Sequence, residues 1–311
     1  MPDLTVAEYD QAEENAIANT PLQVEVAFQP AYFNTYGFTT RIRSEPELSR
    51  FIEFNGAHSF ENAFRQLGGL TEAEFALVQE LTTIVSNYAK SRFGNQSVAP
   101  GNILASLNVL RHIKYLFGED RPSVFEVGPG AGYLGALLIL DSYPYAATDV
   151  TQSLYLYQNH LWNFVSDGKV TELALEGDDF PAPPPGGAVH VPWWKFGTLE
   201  PGLTPQFGAV TGNHCFNEME VRALQFTINV ARQFQSGSEG PAFVFSGWGS
   251  TLTNSHGSTA VRFYRSGFVL AHHDNDVSVM VPKSSFGHLE LPRPKSRIVR
   301  RGRRILRQLA G

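Results

Sequence analysis

The sequence predicts an α/β fold in which a mostly parallel sheet, closed by an antiparallel last strand, follows a helical N-terminal extension. Apolar residues before residue 121 recur at helical spacing. Beyond residue 121, short apolar runs alternate with helical segments, which is typical of a parallel sheet covered on both faces. Two final apolar runs, 267–271 and 277–281, are expected to pair antiparallel.

The helical extension carries recognisable start and stop signals. Thr71 opens the tetrapeptide Thr-Glu-Ala-Glu, a capping box in which the hydroxyl accepts a free N–H and Glu74 reaches back. The amphipathic run behind it should end at Gly94, and a further helix fits Ile103–Phe117. The first 20 residues are polar, and we expect them to be loosely ordered.

The α/β part is divided by the same patterns. A Pro/Gly-rich segment at 180–187 is expected to be a loop. The predicted parallel strands are 123–127, 145–150, 170–175, 207–211 and 242–246, and the predicted helices are 132–140, 153–165 and 218–235. We divide the chain into a helical extension (1–120), an α/β domain (121–292) and a basic tail (293–311).

Composition narrows the class of protein. Of the 311 residues, 42% are hydrophobic and 17% are charged, so the chain can bury a sizeable core. The single cysteine, Cys215, excludes an intrachain disulfide framework and a cysteine-rich zinc site. The N-terminus lacks a secretory pattern and no apolar run is long enough for a bilayer, so we expect a cytoplasmic protein.

Charge is unevenly distributed. The net charge is -6, yet every charged residue of the 293–311 tail is basic. An acidic body argues against a nucleic-acid-binding surface. The tail could contact an anionic membrane or an acidic partner, and the alternative is a solvated terminus.

A glycine loop follows the first predicted strand, in the segment Glu126-Val-Gly-Pro-Gly-Ala-Gly132. Its glycines allow a sharp turn and a close approach to a ligand. The run from Gly130 also fits the GxGxxG dinucleotide pattern, which is a weak match by itself. A carboxylate at Glu126 suits a ligand with an ammonium group and a sulfonium, and it would crowd a pyrophosphate. Asp149 ends the next strand and could accept both ribose hydroxyls of either ligand.

The extended run Glu-x-Gly-x-Gly-x-Gly resembles motif I of class I S-adenosylmethionine (SAM) dependent methyltransferases. The resemblance implies a Rossmann-like sheet and SAM as the cofactor. In that family an acid after the third strand binds the adenine amino group, which points to Asp178, with Asp179 as the alternative. The cofactor-binding residues implied are Glu126, Gly128, Gly130, Gly132, Tyr133, Asp149, Val150, Asp178 and Asn213.

The predicted catalytic residues follow the fourth strand, whose end faces the methyl group of SAM in this architecture. Transfer to a hydroxyl needs alignment and proton removal, and an imidazole such as His214 can take that proton near neutral pH. Glu218 could orient the histidine or bind substrate. Cys215 is interpreted as a small buried side chain. The stretch Asn213–Met219 is similar to an Asn-x-x-Ser/Cys-Phe-x-Glu-Met segment of sugar O-methyltransferases, which implies a sugar or glycoside acceptor.

Aromatic residues could bind such an acceptor. Trp193 and Trp194 offer flat apolar faces to a sugar ring, with polar contacts from His190 or Lys195, and the alternative is that the tryptophans pack in the core. Trp248 follows the fifth strand and could line the same pocket.

Metal binding is weakly indicated. Asp178, Asp179 and Glu218 could hold magnesium, but the fourth strand lacks an Asp-rich run, so a divalent metal is not the favoured prediction. His272 and His273 are adjacent on a strand and point to opposite faces, which makes them poor paired ligands.

The sequence therefore predicts a SAM-dependent O-methyltransferase that acts on a small-molecule or glycan hydroxyl. Three alternatives stay open: a methyltransferase of a non-sugar natural product or protein side chain, a non-enzymatic interaction module with this fold, and an NAD-dependent oxidoreductase. The helical extension could be a substrate lid or a homodimer contact.

Overall fold

The computed structural model describes residues 3–20, 39–52, 60–94, 98, 100–175, 177, 179–200, 204–234, 240–247, 256–274 and 276–286. The basic tail lies outside the described residues. The helices of the described residues are α1 Val6–Ile17, α2 Phe60–Gln66, α3 Glu72–Phe93, α4 Pro100–Phe117, α5 Tyr133–Leu140, α6 Gln152–Ser166, α7 Trp193–Phe196, α8 Val221–Ala231 and α9 His256–Arg265. The strands of the described residues are β1 Val124–Val127, β2 Tyr145–Asp149, β3 Val170–Glu172, β4 Ala188–Pro192, β5 Ala209–Thr211, β6 Ala242–Ser246, β7 Phe268–Asp274 and β8 Val277–Pro282.

The strands form one eight-stranded sheet in the order β3-β4-β2-β1-β5-β6-β8-β7. Strands β1 to β6 pair in parallel, and β8 pairs antiparallel with both β6 and β7. The predicted Rossmann-like sheet with an antiparallel close is confirmed. Strand order reverses at β1, which lies between β2 and β5, and ligands of open α/β sheets bind beyond the carboxyl ends at such a point.

The predicted helical N-terminal region is present and packs with α5 and α6 on one face of the sheet. Helix α3 begins at the capping box of Thr71 and Glu74, and it ends at Gly94 in a left-handed conformation, as predicted. Arg111 of α4 holds this region together. Its guanidinium donates to both carboxylate oxygens of Glu74 and to the carbonyls of Leu67 and Gly69.

The expectation of a loosely ordered start is wrong for residues 6–17, which form α1. Thr5 caps this helix, and Glu8 reaches back to the Thr5 backbone to complete a second capping box. The helix is anchored because Asn159 accepts a hydrogen bond from the Leu4 backbone at 2.9 Å. The Leu4 carbonyl in turn lies 2.7 Å from His160 Nε2.

The third strand of the prediction needs correction. The segment 170–175 contributes only the short edge strand β3, and the strand beside β2 is β4, which the sequence reading left unassigned. The helix predicted from residue 218 begins at Val221 instead, so Glu218 lies in a turn. Helix α9 was also not anticipated.

One apolar core runs through the N-terminal helices and both sides of the sheet. Phe125 of β1 sits at a ring cluster in this core, within 4.8 to 5.4 Å of the centroids of Phe196, Phe207 and Phe234. Among the residues described, no helix is long and apolar enough to cross a membrane. The carboxyl end of β1, where the strand order reverses (the switch point of the sheet), is thus supported by this apolar core.

Candidate active site

The loop between β1 and α5 depends on its glycines. Gly128, Gly130 and Gly132 have φ angles of 64°, 58° and 71°, a left-handed conformation that costs an L side chain roughly 1–2 kcal/mol. A Cβ atom on Gly132 would lie 2.9 Å from Trp162 Nε1, whereas one on Gly130 would meet none of the described residues within 4 Å. The loop is thus packed on one side and open at Gly130, where a ligand can approach the backbone.

Glu126 lies on β1 directly below this loop and is completely buried. The Tyr145 hydroxyl donates to its Oε2 at 2.6 Å, and Asn213 Nδ2 lies 3.3 Å from its Oε1. Burial raises the pKa of Glu126 to about 7, against the opposing effect of the Tyr145 hydrogen bond. The carboxyl group is therefore ready to ionise when a cation arrives.

Asp149 ends β2 beside Glu126, as the sequence predicts. Its Oδ1 accepts from the backbone and hydroxyl of Thr151, and its Oδ2 accepts from Gln158 Nε2 at 2.8 Å. Burial raises its pKa, and these hydrogen bonds act in the opposite direction. A carboxylate offers about four acceptor positions, so Asp149 can still accept from a hydroxyl of a ligand.

His214 follows β5 at the same edge of the sheet and adopts an unusual backbone conformation. Its φ angle is 57°, and its N–H donates to the Ser246 carbonyl at 3.1 Å. The ring packs over Gly247, where an added Cβ would lie 2.6 Å from Nδ1. Its Nε2 faces Asp276 Oδ2 at 3.7 Å. Asp276 is thus a carboxylate close to the ring, and Glu218 stays a predicted residue for orienting His214 or binding substrate.

Glu218 and Cys215 complete the turn after β5. Glu218 is half-buried, and burial raises its pKa to about 7. The Cys215 sulfur lies so close to the glycine loop that a Cβ on Gly128 would be 2.6 Å from it. Burial raises the pKa of the Cys215 thiol well above its usual value, which agrees with a packing role.

The substrate contact predicted for His190 is corrected by its position. The side chain is fully buried on β4, with Nδ1 3.1 Å from Glu172 Oε2 and Nε2 3.3 Å from Gln158 Oε1. Its ring stacks on Tyr155 with the centroids 3.6 Å apart. A histidine with both nitrogens and one face engaged in the core has no surface to offer a sugar.

Trp193 and Trp194 lie at the end of β4, three strands from His214 at the end of β5. Three strand spacings amount to about 14 Å, which is more than one sugar ring can span. Both tryptophans are buried. Trp193 Nε1 donates to Glu13 Oε1 at 2.9 Å, and the Trp194 ring lies edge-on to Tyr9. The structure does not bring them together with the predicted catalytic histidine.

A surface groove of about 730 Å³ runs between α1 and the residues around α7, and Trp194 and Lys195 line it. Lys195 Nζ donates to the Gly177 carbonyl at 2.8 Å. This groove lies on the β4 side of the sheet edge, away from His214.

The remaining predicted site residues have varied positions. Val150 is half-buried directly after Asp149, and Asp179 is exposed. Tyr133 opens α5 and donates its hydroxyl proton to the Ile52 carbonyl at 2.8 Å, which links the glycine loop to the N-terminal region. Asp178 and Trp248 lie outside the described residues.

Three polar residues at this edge of the sheet are not predicted from the sequence. Gln158 joins Asp149 to the Gly130 carbonyl, donating to each at 2.8 Å. The Ser246 hydroxyl donates to Asn213 Oδ1 at 3.1 Å, and Asp276 faces His214. No local motif marks any of them, because each is brought in by tertiary packing.

No protein-family model matches the chain, and no curated protein matches it. Several solved methyltransferase structures have a similar fold at low identity. A magnesium protoporphyrin IX methyltransferase from Synechocystis with bound SAH is 13% identical over 65% of this chain and 99% of that chain, with a TM-score of 0.40. The glycopeptide N-methyltransferase MtfA is 12% identical over 57% and 88%, with a TM-score of 0.40.

An amino pentose methyltransferase from Micromonospora echinaspora, involved in calicheamicin biosynthesis, has SAM bound. It is 11% identical over 57% of this chain and 89% of that chain, with a TM-score of 0.38. Structural similarity at such low identities and TM-scores says nothing about activity, and the function is therefore inferred from the site itself.

Proposed function

We propose that this protein is a SAM-dependent O-methyltransferase that acts on a hydroxyl of a sugar or glycoside. The observation that carries the proposal is the row of groups at the sheet's switch point. The left-handed glycine loop stands between Glu126 on β1 and Asp149 on β2, and His214 follows β5 next to them.

These residues suit SAM. The open space at Gly130 allows a ligand to lie against the loop backbone. Glu126 would take the ammonium group, and its buried carboxyl would become ionised in doing so. Asp149 would accept from the ribose hydroxyls. We assign the end of β4, with Trp193 and Trp194, to the adenosine side of the site because it lies next to Asp149 in the sheet.

The strand order favours SAM over a dinucleotide. A dinucleotide-binding Rossmann sheet has the order 3-2-1-4-5-6 and is mostly parallel. Here the last strand, β8, pairs antiparallel with both β6 and β7, and an antiparallel last strand is part of the class I methyltransferase sheet that the sequence predicts.

The acceptor would lie over the ends of β5 and β6. This region presents the partly exposed polar side chains of Asn213, His214, Glu218, Ser246 and Asp276. They combine hydrogen-bond donors and acceptors, which suits a ligand with several hydroxyl groups better than an apolar aromatic one. This polarity supports a sugar or glycoside and replaces the tryptophan pair as the reason for that assignment.

The chemistry asks little of the protein beyond alignment and proton removal. Bound SAM would supply the methyl group and leave as S-adenosylhomocysteine once the acceptor oxygen has formed the new carbon–oxygen bond. His214 would accept the hydroxyl proton at Nε2. Asp276, 3.7 Å from that nitrogen, would stabilise the positive charge that develops on the ring.

The test has a binding step and a turnover step. Calorimetry with SAM, S-adenosylhomocysteine and NAD should give binding of the first two alone. Methyl transfer from labelled SAM is then measured on glycosides, nucleotide sugars, phenols and peptides. His214→Ala should lose at least about a hundredfold in turnover and keep its SAM affinity. His273→Ala, an exposed histidine on β7, is the matched control.

Each result bears on one part of the proposal. NAD binding without SAM binding would replace the methyltransferase with an oxidoreductase. Binding of neither ligand would favour an interaction module. Transfer to phenols or peptides alone would keep the methyltransferase and discard the sugar acceptor, and full turnover in His214→Ala would remove the base.

A further inference from the structure

Strand β7 contains a β-bulge that turns part of the strand over. Leu270 pairs with Met280 and His272 pairs with the next residue, Val279, so Ala271 is the extra residue. Side chains two apart on a regular strand share a face. Phe268, before the bulge, packs against Phe243 with ring centroids 5.0 Å apart.

Past the bulge the strand faces the other way. The His272 ring lies 5.6 Å, centroid to centroid, from His112 of α4, on the side of the sheet covered by the N-terminal helices. Asp274, two residues on, shares that face. Bulges commonly re-aim side chains in this way near functional sites. The result is that a helix of the N-terminal region and an edge strand place three ligating side chains together.

His112 is held as metal-binding histidines are held. Its Nδ1 lies 2.7 Å from the Asn108 carbonyl, one helical turn back, which assigns the proton to Nδ1 and leaves Nε2 as an acceptor. The side chain is buried, so its orientation is fixed. One ligating atom from each of His112, His272 and Asp274 lies within 4.8 Å of the other two.

We propose that His112, His272 and Asp274 form a binding site for a divalent transition metal, with Zn²⁺ as the reference ion. Two imidazoles and one carboxylate are typical ligands of zinc and of other divalent transition metals, whereas magnesium and calcium prefer oxygen ligands alone. This proposal does not depend on the proposed methyltransferase function.

The geometry allows the three ligands to close on an ion. Bonds of about 2.0–2.2 Å in a tetrahedral arrangement place donor atoms about 3.3 Å apart. The side chains of His272 and Asp274 are only partly buried, so they can make the remaining approach to the fixed His112. A fourth position stays open to water or to an outside ligand.

Such an ion would join α4 to β7. Among the residues that the structure describes, β7 is the last strand of the sheet and pairs with β8. A metal bound across this junction would fasten the antiparallel edge to the N-terminal helices. Metal binding would therefore raise the thermal stability of the full chain, because an ion that binds only the folded state shifts the unfolding equilibrium.

The experiment uses the full-length protein after dialysis against a chelator. Zn²⁺ binding is measured by calorimetry, and Co²⁺ is added as a spectroscopic probe whose visible absorption reports coordination. We expect one site per chain, a higher Tm with Zn²⁺, and a low-coordinate Co²⁺ spectrum with nitrogen and oxygen ligands. Mg²⁺ is the comparison ion and should not compete.

The variants separate the site from general surface binding. His272→Ala and Asp274→Asn should each weaken Zn²⁺ binding by about a hundredfold or more. His273→Ala is the matched control, because this neighbouring histidine is exposed and its Nδ1 lies 3.0 Å from Ser278 Oγ. Circular dichroism establishes that each variant is folded.

Three outcomes would overturn the site. These are no stoichiometric Zn²⁺ binding by the folded native chain, an equal loss in His273→Ala and His272→Ala, or Mg²⁺ affinity matching that of Zn²⁺. If His272→Ala does not fold, Asp274→Asn decides alone, since the substitution keeps size and removes the anionic ligand.

Discussion

The indole N–H of Trp193 donates to the Glu13 carboxylate at 2.9 Å, so the first helix of the chain is bonded to the end of β4. Both side chains are buried, and Arg41 also bonds the same carboxylate. Helix α1, which lies in the segment that the sequence predicts to be loosely ordered, therefore packs beside the proposed adenosine side of the site.

We expect Glu13→Ala to destabilise the protein by about 1–3 kcal/mol, because it leaves a buried indole N–H without an acceptor. Denaturant unfolding of this variant, of Trp193→Phe and of the double variant measures the coupling, which should reach about 0.5–3 kcal/mol. Glu14→Ala, on the exposed side of the same helix, should change stability by no more than about 0.5 kcal/mol. Strictly additive effects would show that the two residues do not interact.

A second prediction contrasts two glycines of the loop. Gly132→Ala incurs left-handed strain and also pushes a Cβ to 2.9 Å from Trp162 Nε1, whereas Gly130→Ala incurs the strain alone. We expect Gly132→Ala to be less stable than Gly130→Ala by about 1–3 kcal/mol. Gly130→Ala should stay folded and bind SAM more weakly, because its new methyl group enters the space assigned to the ligand.

Unfolding curves and calorimetry on the two variants test both statements. Equal stability of the two variants would contradict the packing argument at Gly132. Unchanged SAM affinity in Gly130→Ala would place the ligand elsewhere on the sheet edge.

Local signals in the sequence account for much of the fold. The capping box at Thr71 and the stop at Gly94 bound α3 as predicted. The same signal is present at Thr5 and Glu8, where Thr-Val-Ala-Glu forms the cap and the first turn of α1. The overall polarity of the first 20 residues favours a loosely ordered terminus, but a capping box depends on spacing and not on average hydropathy.

Strand β4 could not be recognised in the same way. It has five residues with a histidine at its centre, and a buried histidine is unfavourable until its partners are known. Glu172 and Gln158 supply them, but they come from β3 and α6. The same distinction between local signals and tertiary contacts applies to the candidate site. Glu126 and Asp149 belong to a local motif, whereas Asp276 reaches His214 only because β8 inserts beside β6.

The third prediction follows from the raised pKa of Glu126, about 7 in the folded protein against 4.5 ordinarily. Since the folded pKa is raised, the destabilising effect of burying Glu126 is absent below about pH 4.5, grows as the pH rises to about 7, and is fully present above that pH. Glu126→Gln should therefore be more stable than the native protein at pH 8, by up to about 3 kcal/mol, and the gain should vanish near pH 4.5.

Urea unfolding at the two pH values measures this difference, with the exposed Glu119→Gln as control. Ligand binding should change in the opposite sense. If the ionised carboxylate receives the ammonium group, native SAM affinity rises about tenfold between pH 6 and pH 8. Glu126→Gln should bind SAM weakly at both. A variant less stable than the native protein at pH 8 would contradict the assigned ionisation.

The last prediction separates the two sides of the proposed site, because two strands, β2 and β1, lie between the strand that precedes Trp194 and the strand that precedes His214. Trp194→Leu should raise the Kd for SAM and leave the acceptor KM unchanged, because we assign this tryptophan to the adenosine side of the proposed site. Loss of an aromatic contact to a base is worth about 1–3 kcal/mol, or roughly five- to 150-fold in affinity. Asp276→Asn should lower kcat and leave the Kd for SAM unchanged, since Asp276 Oδ2 lies 3.7 Å from the predicted base, His214 Nε2. Initial rates with each substrate varied, together with calorimetry for SAM, give all three quantities. If Trp194→Leu raises the acceptor KM instead, the acceptor lies over β4, and the sugar contact first predicted for this tryptophan is restored.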